Sequence, residues 1–187
     1  ELIAPMDLEK KDFILSIVGQ IQQANEKAHK LADLAIHGNQ SLKQSGPHSL
    51  NDFIRQYIDA GFAIEGLKYE LVQDTRAFDC QFDSSSIGII IDHIASNSVK
   101  AGATILQISL EERGKFVEIA FSDNGIGLAE NINPQSLFEW GFSSNRQKKG
   151  YGIGLYHIKQ LVDEMNGTVE IDTTYRHGFK LIVRLKK

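Results

Sequence analysis

The sequence predicts an α+β fold: a two-layer α/β sandwich, with a mixed sheet carrying helices on one face, preceded by one long helix. Three observations predict it. Apolar and small residues recur in alternating steps of three and four across residues 7–45. From Ser49 onward, short runs of alternating polarity are interleaved with helical stripes. The chain has 187 residues, 42% apolar and 24% charged, which suits one ordinary domain with an appendage. The expected division is residues 1–46 as a dimerisation-type helix and residues 47–187 as the globular domain.

The first helix carries its seam at Ile14, Ile17, Ile21, Ala24, Ala28, Leu31, Ala35, Gly38 and Leu42. That is the spacing of a coiled coil or bundle. Fully helical, it would be about 57 Å long at roughly 1.5 Å per residue. A helix of that length needs a partner over its seam, and the small residues favour a bundle with close approach. Homodimerisation through this helix is the expectation, and packing on its own domain the alternative.

Gly46-Pro47 stops the helix. Ser49 is expected to cap the next one, with Asp52 three residues on. Leu50, Phe53, Ile54, Tyr57 and Ile58 form its stripe, and Gly61 and Gly66 bracket its end. Two short strands are expected next, one through Tyr69, Leu71 and Gln73, the other through Phe78, Cys80 and Phe82. Ser84, Ser85 and Ser86 are expected to cap a helix reaching Lys100, with Ile87, Ile91, Ile94, Ala95 and Val99 on its apolar side. Residues 104–111 and 116–122 read as strands joined at Arg113-Gly114. A loop region over 123–150, a helix over 153–165 and a final hairpin of residues 168–174 and 179–185 complete the order. The sheet has five or six strands on this reading.

Composition narrows the function. Twenty basic against twenty-four acidic residues, net charge −4, give no support to a nucleic-acid-coating or polybasic membrane protein. The single Cys80 excludes an intrachain disulfide framework and a Cys-rich zinc site, and its apolar neighbours make it a core residue. No run of apolar or Gly residues, such as 87–91, is anywhere near long enough to span a bilayer. Residue 1 is Glu, so the chain reads as an excised piece of a longer protein, in a reducing compartment.

Three clusters carry chemistry. On the helix ending at Lys100, residues His93, Asn97 and Lys100 share one face by three-and-four spacing. Asn97 offers an oxygen of the kind a hard cation shared with phosphates accepts. The run Asp123-Asn124-Gly125-Ile126-Gly127-Leu128 follows a strand. A carboxylate there suits an exocyclic amine, and glycines let backbone approach a flat ring. An Asx turn with a glycine bend is the plainer account. The run Gly150-Tyr151-Gly152-Ile153-Gly154-Leu155 enters a helix, where bare amides bind anions. Between the last two lies a polar, basic stretch with Ser144, Arg146, Lys148 and Lys149, readable as a lid over phosphates or as a solvated loop. Leu137, Phe138, Trp140 and Phe142 precede it and are expected to anchor it.

In this order the clusters resemble the GHKL ATPase superfamily, most closely the catalytic and ATP-binding domain of sensor histidine kinases. Residues 93–97 look like the N box, Asp123 to Gly127 like the G1 box, residues 137–144 like the F box, and residues 150–155 like the G2 box. The hairpin with Gly167-Thr168-Val169-Glu170-Ile171 and Gly178-Phe179 also matches. The resemblance implies ATP and Mg²⁺ as cofactors. Asp123 would read the adenine amino group, with Gly125 beside it and Gly127 backing the ring. Asn97 would hold Mg²⁺, and Lys100 would meet phosphate or ribose. Gly150, Gly152 and Gly154, with Leu155, would cradle the triphosphate, and Ser144, Arg146, Lys148 and Lys149 would serve as the lid. A response regulator is the implied protein partner. The implied location is cytoplasmic, with a membrane reached only through segments outside this chain, and no nucleic acid is expected as a partner.

Two departures stand out. His93 occupies a position where the kinases usually carry Asn or an acidic residue and hydrolysing members a Glu base. An imidazole there could act as a base or orient a water or nucleophile, and a spectator role is the alternative. No phosphoacceptor box appears around His29, His37 or His48, so the acceptor histidine is expected outside the fragment. The leading reading is the ATP-binding catalytic fragment of a histidine kinase. The alternatives are a GHKL hydrolase with a dimer-gated clamp and a nucleotide-binding scaffold without catalysis.

Overall fold

The structure is a computed structural model that describes residues 17, 49–62, 64, 66–72, 78, 80–129, 132–142 and 152–187. The chain divides into two units, Glu1–Gly46 and Pro47–Lys187. The expected long helix falls in the first. Apart from Ile17, which is helical, it lies outside the described residues.

The second unit opens with α1 (Leu50–Tyr57), whose last turn widens into a π-helical turn, Ile58–Phe62. Leu50, Ile54 and Tyr57 are buried at three-and-four spacing. Ser49 precedes the helix, yet its hydroxyl makes no cap bond. It pairs with the Asn51 side chain and accepts from the Phe78 amide at 3.3 Å. The Leu50 amide donates back to the Phe78 carbonyl at 3.1 Å. Phe78 and residues 80–82 are accordingly not in a strand, contrary to the alternation, because Phe78 spends its backbone groups on α1. Phe78 and Cys80 are still buried, as expected of core residues.

The sheet has five strands in the order β1-β2-β3-β5-β4. They are β1 (Lys68–Val72), β2 (Ile105–Arg113), β3 (Phe116–Asp123), β4 (Thr168–Ile171) and β5 (Lys180–Lys186). β1 pairs parallel with β2, and every other pairing is antiparallel. Alternation places Leu106, Ile108 and Leu110 of β2, Val117, Ile119 and Phe121 of β3, and Leu181, Val183 and Leu185 of β5 on one buried face. The other face carries charge. Arg184 reaches Glu118 at 2.9 Å and Glu170 at 2.5 Å. The Arg184 hydrogen bond holds the Glu170 carboxyl below its ordinary range.

Two helices complete the layer, α2 (Ser84–Lys100) and α3 (Gly154–Glu164), which pack against each other. Asp83, not the serine run, caps α2: its carboxylate accepts from the Ser86 amide at 2.7 Å. An anion one residue further out meets the unpaired amides of the first turn at no cost in helix length. Ile87, Ile90, Ile91, Ile94 and Ala95 are buried, whereas Val99 is 39% exposed and leaves the apolar side. In the last turn of α2 it is Ser98, not Val99, that faces the interior. Within α1, Tyr57 donates to the Asp92 carboxylate at 2.8 Å, and burial followed by that carboxylate pushes the phenol well up. No helix among the described residues is long and apolar enough to cross a membrane.

Ile119 is fully buried between Leu110 and Val183 in neighbouring strands. Truncation to Ala is expected to cost about 2–5 kcal/mol, read as a lower urea midpoint with unchanged slope. Val99→Ala, at the exposed end of α2, is expected to stay within about 0.5 kcal/mol of wild type.

Candidate functional site

Asp123 ends β3 and is 4% exposed. A buried carboxylate must find donors, and this one finds three. Its Oδ1 accepts from the Gly125 amide at 2.9 Å and the Phe179 amide at 3.0 Å. Its Oδ2 accepts from the Ser98 hydroxyl at 2.7 Å. One side chain thus joins α2, the loop after β3 and the start of β5. Ser98 is 1% exposed and was not singled out by motif reasoning. The signal available was its place directly after Asn97, a small polar residue on the buried side of the helix.

Asn124 grips the other side of the loop. Its Oδ1 accepts from the Thr104 and Ile105 amides at 2.9 and 3.0 Å, and its Nδ2 donates to the Thr104 hydroxyl. The Ile126 amide donates to the Ala101 carbonyl at 3.1 Å, which seats the loop on the end of α2. The two loop glycines are explained by protein contacts. A Cβ on Gly125 would lie 2.9 Å from the Ala101 carbonyl oxygen. One on Gly127, at φ +70°, would lie 2.7 Å from the Gly178 carbonyl oxygen.

A cleft of about 590 Å³ opens between this loop and the turn joining β4 to β5. Gly125, Ile126, Gly127, Tyr175, Arg176 and Lys180 are among its lining residues, while Asn97, Lys100, Gly152 and Gly154 are not. The hairpin wall is pinned by Asp172, which accepts from the Thr174 hydroxyl at 2.5 Å and pairs with Lys180 at 3.1 Å. The Thr174 hydrogen bond, then Lys180, hold the Asp172 carboxyl down to about 2. The same turn shortens β4, which stops at Ile171 rather than 174.

Asn97 lies elsewhere, at the junction of α2 and α3. Helix α3 starts at Gly154, and Ile153 before it supplies no side-chain cap. The His157 amide donates to the Ile153 carbonyl, so the amides of residues 154–156 precede the intrahelical ladder. A Cβ on Gly154 would stand 3.5 Å from Asn97 Nδ2 and 3.8 Å from both Asn97 Oδ1 and His93 Nδ1. His93 and Asn97 are half-buried, and Lys100 is exposed at the end of α2. His93 Nε2 meets His157 Nδ1 at 2.9 Å, with the rings edge to face. Leu155 is half-buried in the first turn of α3.

Ser144, Arg146, Lys148, Lys149 and Gly150 lie outside the described residues. The positions flanking that segment are tied together: the Gly141 amide donates to the Gly152 carbonyl at 3.2 Å, and Gly152 has φ +65°. Leu137 and Phe138 are buried in a 3₁₀ turn, Pro134–Phe138, and serve as anchors. Trp140 does not. It is 63% exposed and stacks edge-on against Tyr156 of α3. Among the described residues no group of three or more His, Cys, Asp or Glu side chains could hold a metal ion. A cation here would share its shell with phosphates and water, and the Asn97 amide oxygen beside an open helix start fits that demand.

The pattern of the family described as histidine kinase-, DNA gyrase B- and HSP90-like ATPase matches residues 82–187. The chain is 29% identical to a probable C4-dicarboxylate sensor kinase of Bacillus subtilis over 100% of its own length and 37% of that protein. It is 32% identical to the sensor-type histidine kinase PrrB of Mycobacterium leprae over 99% of its own length and 42% of that protein. The chain therefore spans about two fifths of these relatives. The solved ATP-binding domain of PrrB from Mycobacterium tuberculosis superposes with a TM-score of 0.57 at 27% identity, covering 74% of this chain and 93% of that one.

Two outcomes follow from the loop and the hairpin. Gly127→Ala, which forces a side chain at positive φ against Gly178, is expected to cost about 1–3 kcal/mol in urea unfolding. Asp172 is held below its ordinary value near 3.8, so its contribution is complete above that pH and is lost as pH falls towards about 2. Asp172→Asn should flatten the stability profile in that window and leave the slope above pH 5 unchanged.

Proposed function

From the premise that the chain belongs to the histidine kinase-, DNA gyrase B- and HSP90-like ATPases, as an ATP-binding catalytic domain of the sensor-kinase type, we propose that it binds Mg-ATP and presents the γ-phosphoryl group to a histidine outside residues 1–187. The observation that carries the proposal is the corner where Asn97 meets the uncapped start of α3 at Gly154. Bare amides with the positive end of a helix dipole favour phosphate oxygens. In this reading Asp123 accepts from the adenine amino group, beside Gly125 and Gly127. Lys100 meets phosphate or ribose. Gly150, Gly152 and Gly154, with Leu155, line the phosphates, and Ser144, Arg146, Lys148 and Lys149 close over them.

Mg²⁺, held by Asn97, supplies charge neutralisation between phosphates when bound. The chain's own residues supply position: they orient the nucleotide, surround its charge and hold the γ-phosphoryl group in line with its acceptor. His93 serves as a base or orienting group at the same corner. The whole protein, on this proposal, is a homodimer through residues 1–46 and passes its phosphoryl group to a response regulator. It works in the cytoplasm, with a membrane reached only through segments outside residues 1–187.

Calorimetry tests the nucleotide site. Asn97→Ala is expected to weaken Mg-ATP binding by roughly tenfold or more and to remove most of its dependence on Mg²⁺. Asp123→Asn should lose at least as much affinity for ATP. If folded samples of both variants bind Mg-ATP as the wild type does, the assignment is wrong.

A further inference from the structure

The cleft beside the Asp123 loop holds nothing that the nucleotide reading uses except the loop glycines. Asp123, Asn97, Lys100, Gly152 and Gly154 all lie outside its lining. Its volume, about 590 Å³, falls within the range of small-molecule sites. Its two walls differ in chemistry. The loop wall is apolar, with Ile126, Leu128 and Ile132, and Ile126 is 87% exposed. The turn wall is polar, with Tyr175, Arg176 and Lys180. Lys180 spends its charge on Asp172 at 3.1 Å, and its ammonium stands 5.9 Å from the centre of the Tyr175 ring. Arg176 is exposed and, among the described residues, pairs with no carboxylate. The charge left over in the cleft is therefore one guanidinium, on the wall opposite an exposed isoleucine. A guanidinium matches a carboxylate or sulfonate with two parallel N–H bonds and stacks on flat rings. The apolar wall favours the body of the same molecule, because covering it removes hydrocarbon from water.

We propose that this cleft is a second ligand site, for a small organic anion with a flat apolar body, occupied alongside the nucleotide. The acidic group pairs with Arg176, and the body covers Ile126 and Leu128. The turn that forms the polar wall is bonded to Asp123 three times. The Asp123 amide donates to the Phe179 carbonyl at 2.9 Å, and the Phe179 amide donates to Asp123 Oδ1 at 3.0 Å. The Tyr175 hydroxyl donates to the Asp123 carbonyl at 3.4 Å. Gly178 lies so close to the Asp123 backbone that no side chain fits between them. A ligand that bridges loop and turn braces these contacts, so the anion and the nucleotide raise each other's affinity by the same factor. This coupling rests on the nucleotide reading above, whereas the cleft as an anion site stands without it.

The probe for the test is anilinonaphthalene sulfonate, an aromatic anion, titrated by its fluorescence into the full chain without nucleotide. One saturable site per chain is expected. Arg176→Gln should weaken it about tenfold through loss of the charge-assisted pair, and Ile126→Ser about threefold through loss of apolar cover. Both side chains are exposed, so urea midpoints should match wild type. With Mg-ATP present the probe should still bind, about threefold tighter, and calorimetry should show the same gain for Mg-ATP when the probe is saturating. Absence of a saturable site overturns the proposal, as does wild-type affinity in both variants. Competition between probe and Mg-ATP overturns it too, since the cleft would then be part of the nucleotide site. An unchanged affinity for Mg-ATP at saturating probe overturns the coupling. If Mg-ATP does not bind the wild-type chain, the nucleotide reading and the coupling fail together, and the probe titration alone decides the cleft.

Discussion

The buried carboxylate of Asp123 is the constraint on which the rest of the site depends. A charge in the interior is unfavourable unless donors surround it, and three donors from three elements converge on this one. Ser98 draws in α2, Gly125 folds the loop back, and Phe179 fixes the start of β5. With the loop held, Asn124 can satisfy the first amides of β2, and Ile126 can close on the end of α2. The end of α2 that carries Asn97 and Lys100 is thereby referenced to the sheet. Packing of α2 against α3 then sets Asn97 beside Gly154.

This assembly gives the glycines a different meaning from the one their pattern suggests. Gly125 and Gly127 leave out a Cβ because Ala101 and Gly178 already occupy the space. The loop is therefore a tightly packed floor whose free backbone groups point where packing allows. The cleft beside it is walled by the β4 to β5 turn, while His93, Asn97 and Gly154 gather at the α2 to α3 junction. On the proposed reading the nucleotide site is spread across loop, helix end and helix start, with Asp123 as the common anchor.

Much of the fold was legible from periodicity. Ile105–Arg113 and the first half of Phe116–Asp123 alternate, because one face meets the core and the other carries Glu118 and its partners, while residues 119–123 are buried on both faces. Helix α3 was bounded within a residue by its glycines. The errors lie where local pattern met a tertiary partner. Phe78 and Cys80 alternate like a strand, yet their segment is tied to the start of α1. Val99 fits the apolar spacing of α2 but falls beyond the core. Trp140 is apolar enough to anchor, and lies on the surface instead.

The sequence by itself determined which elements form and the order in which Asn97, Asp123, Gly152 and Gly154 occur, since helix and strand periods and glycine placement are local properties of the chain. Only the tertiary structure decided the pairings: Ser98 with Asp123, Gly127 against Gly178, and His93 with His157. Each joins residues 25, 51 or 64 positions apart (98 to 123, 127 to 178, 93 to 157). A hydrogen bond between elements depends on the distance and angle at which their faces pack, and no spacing within one element encodes that.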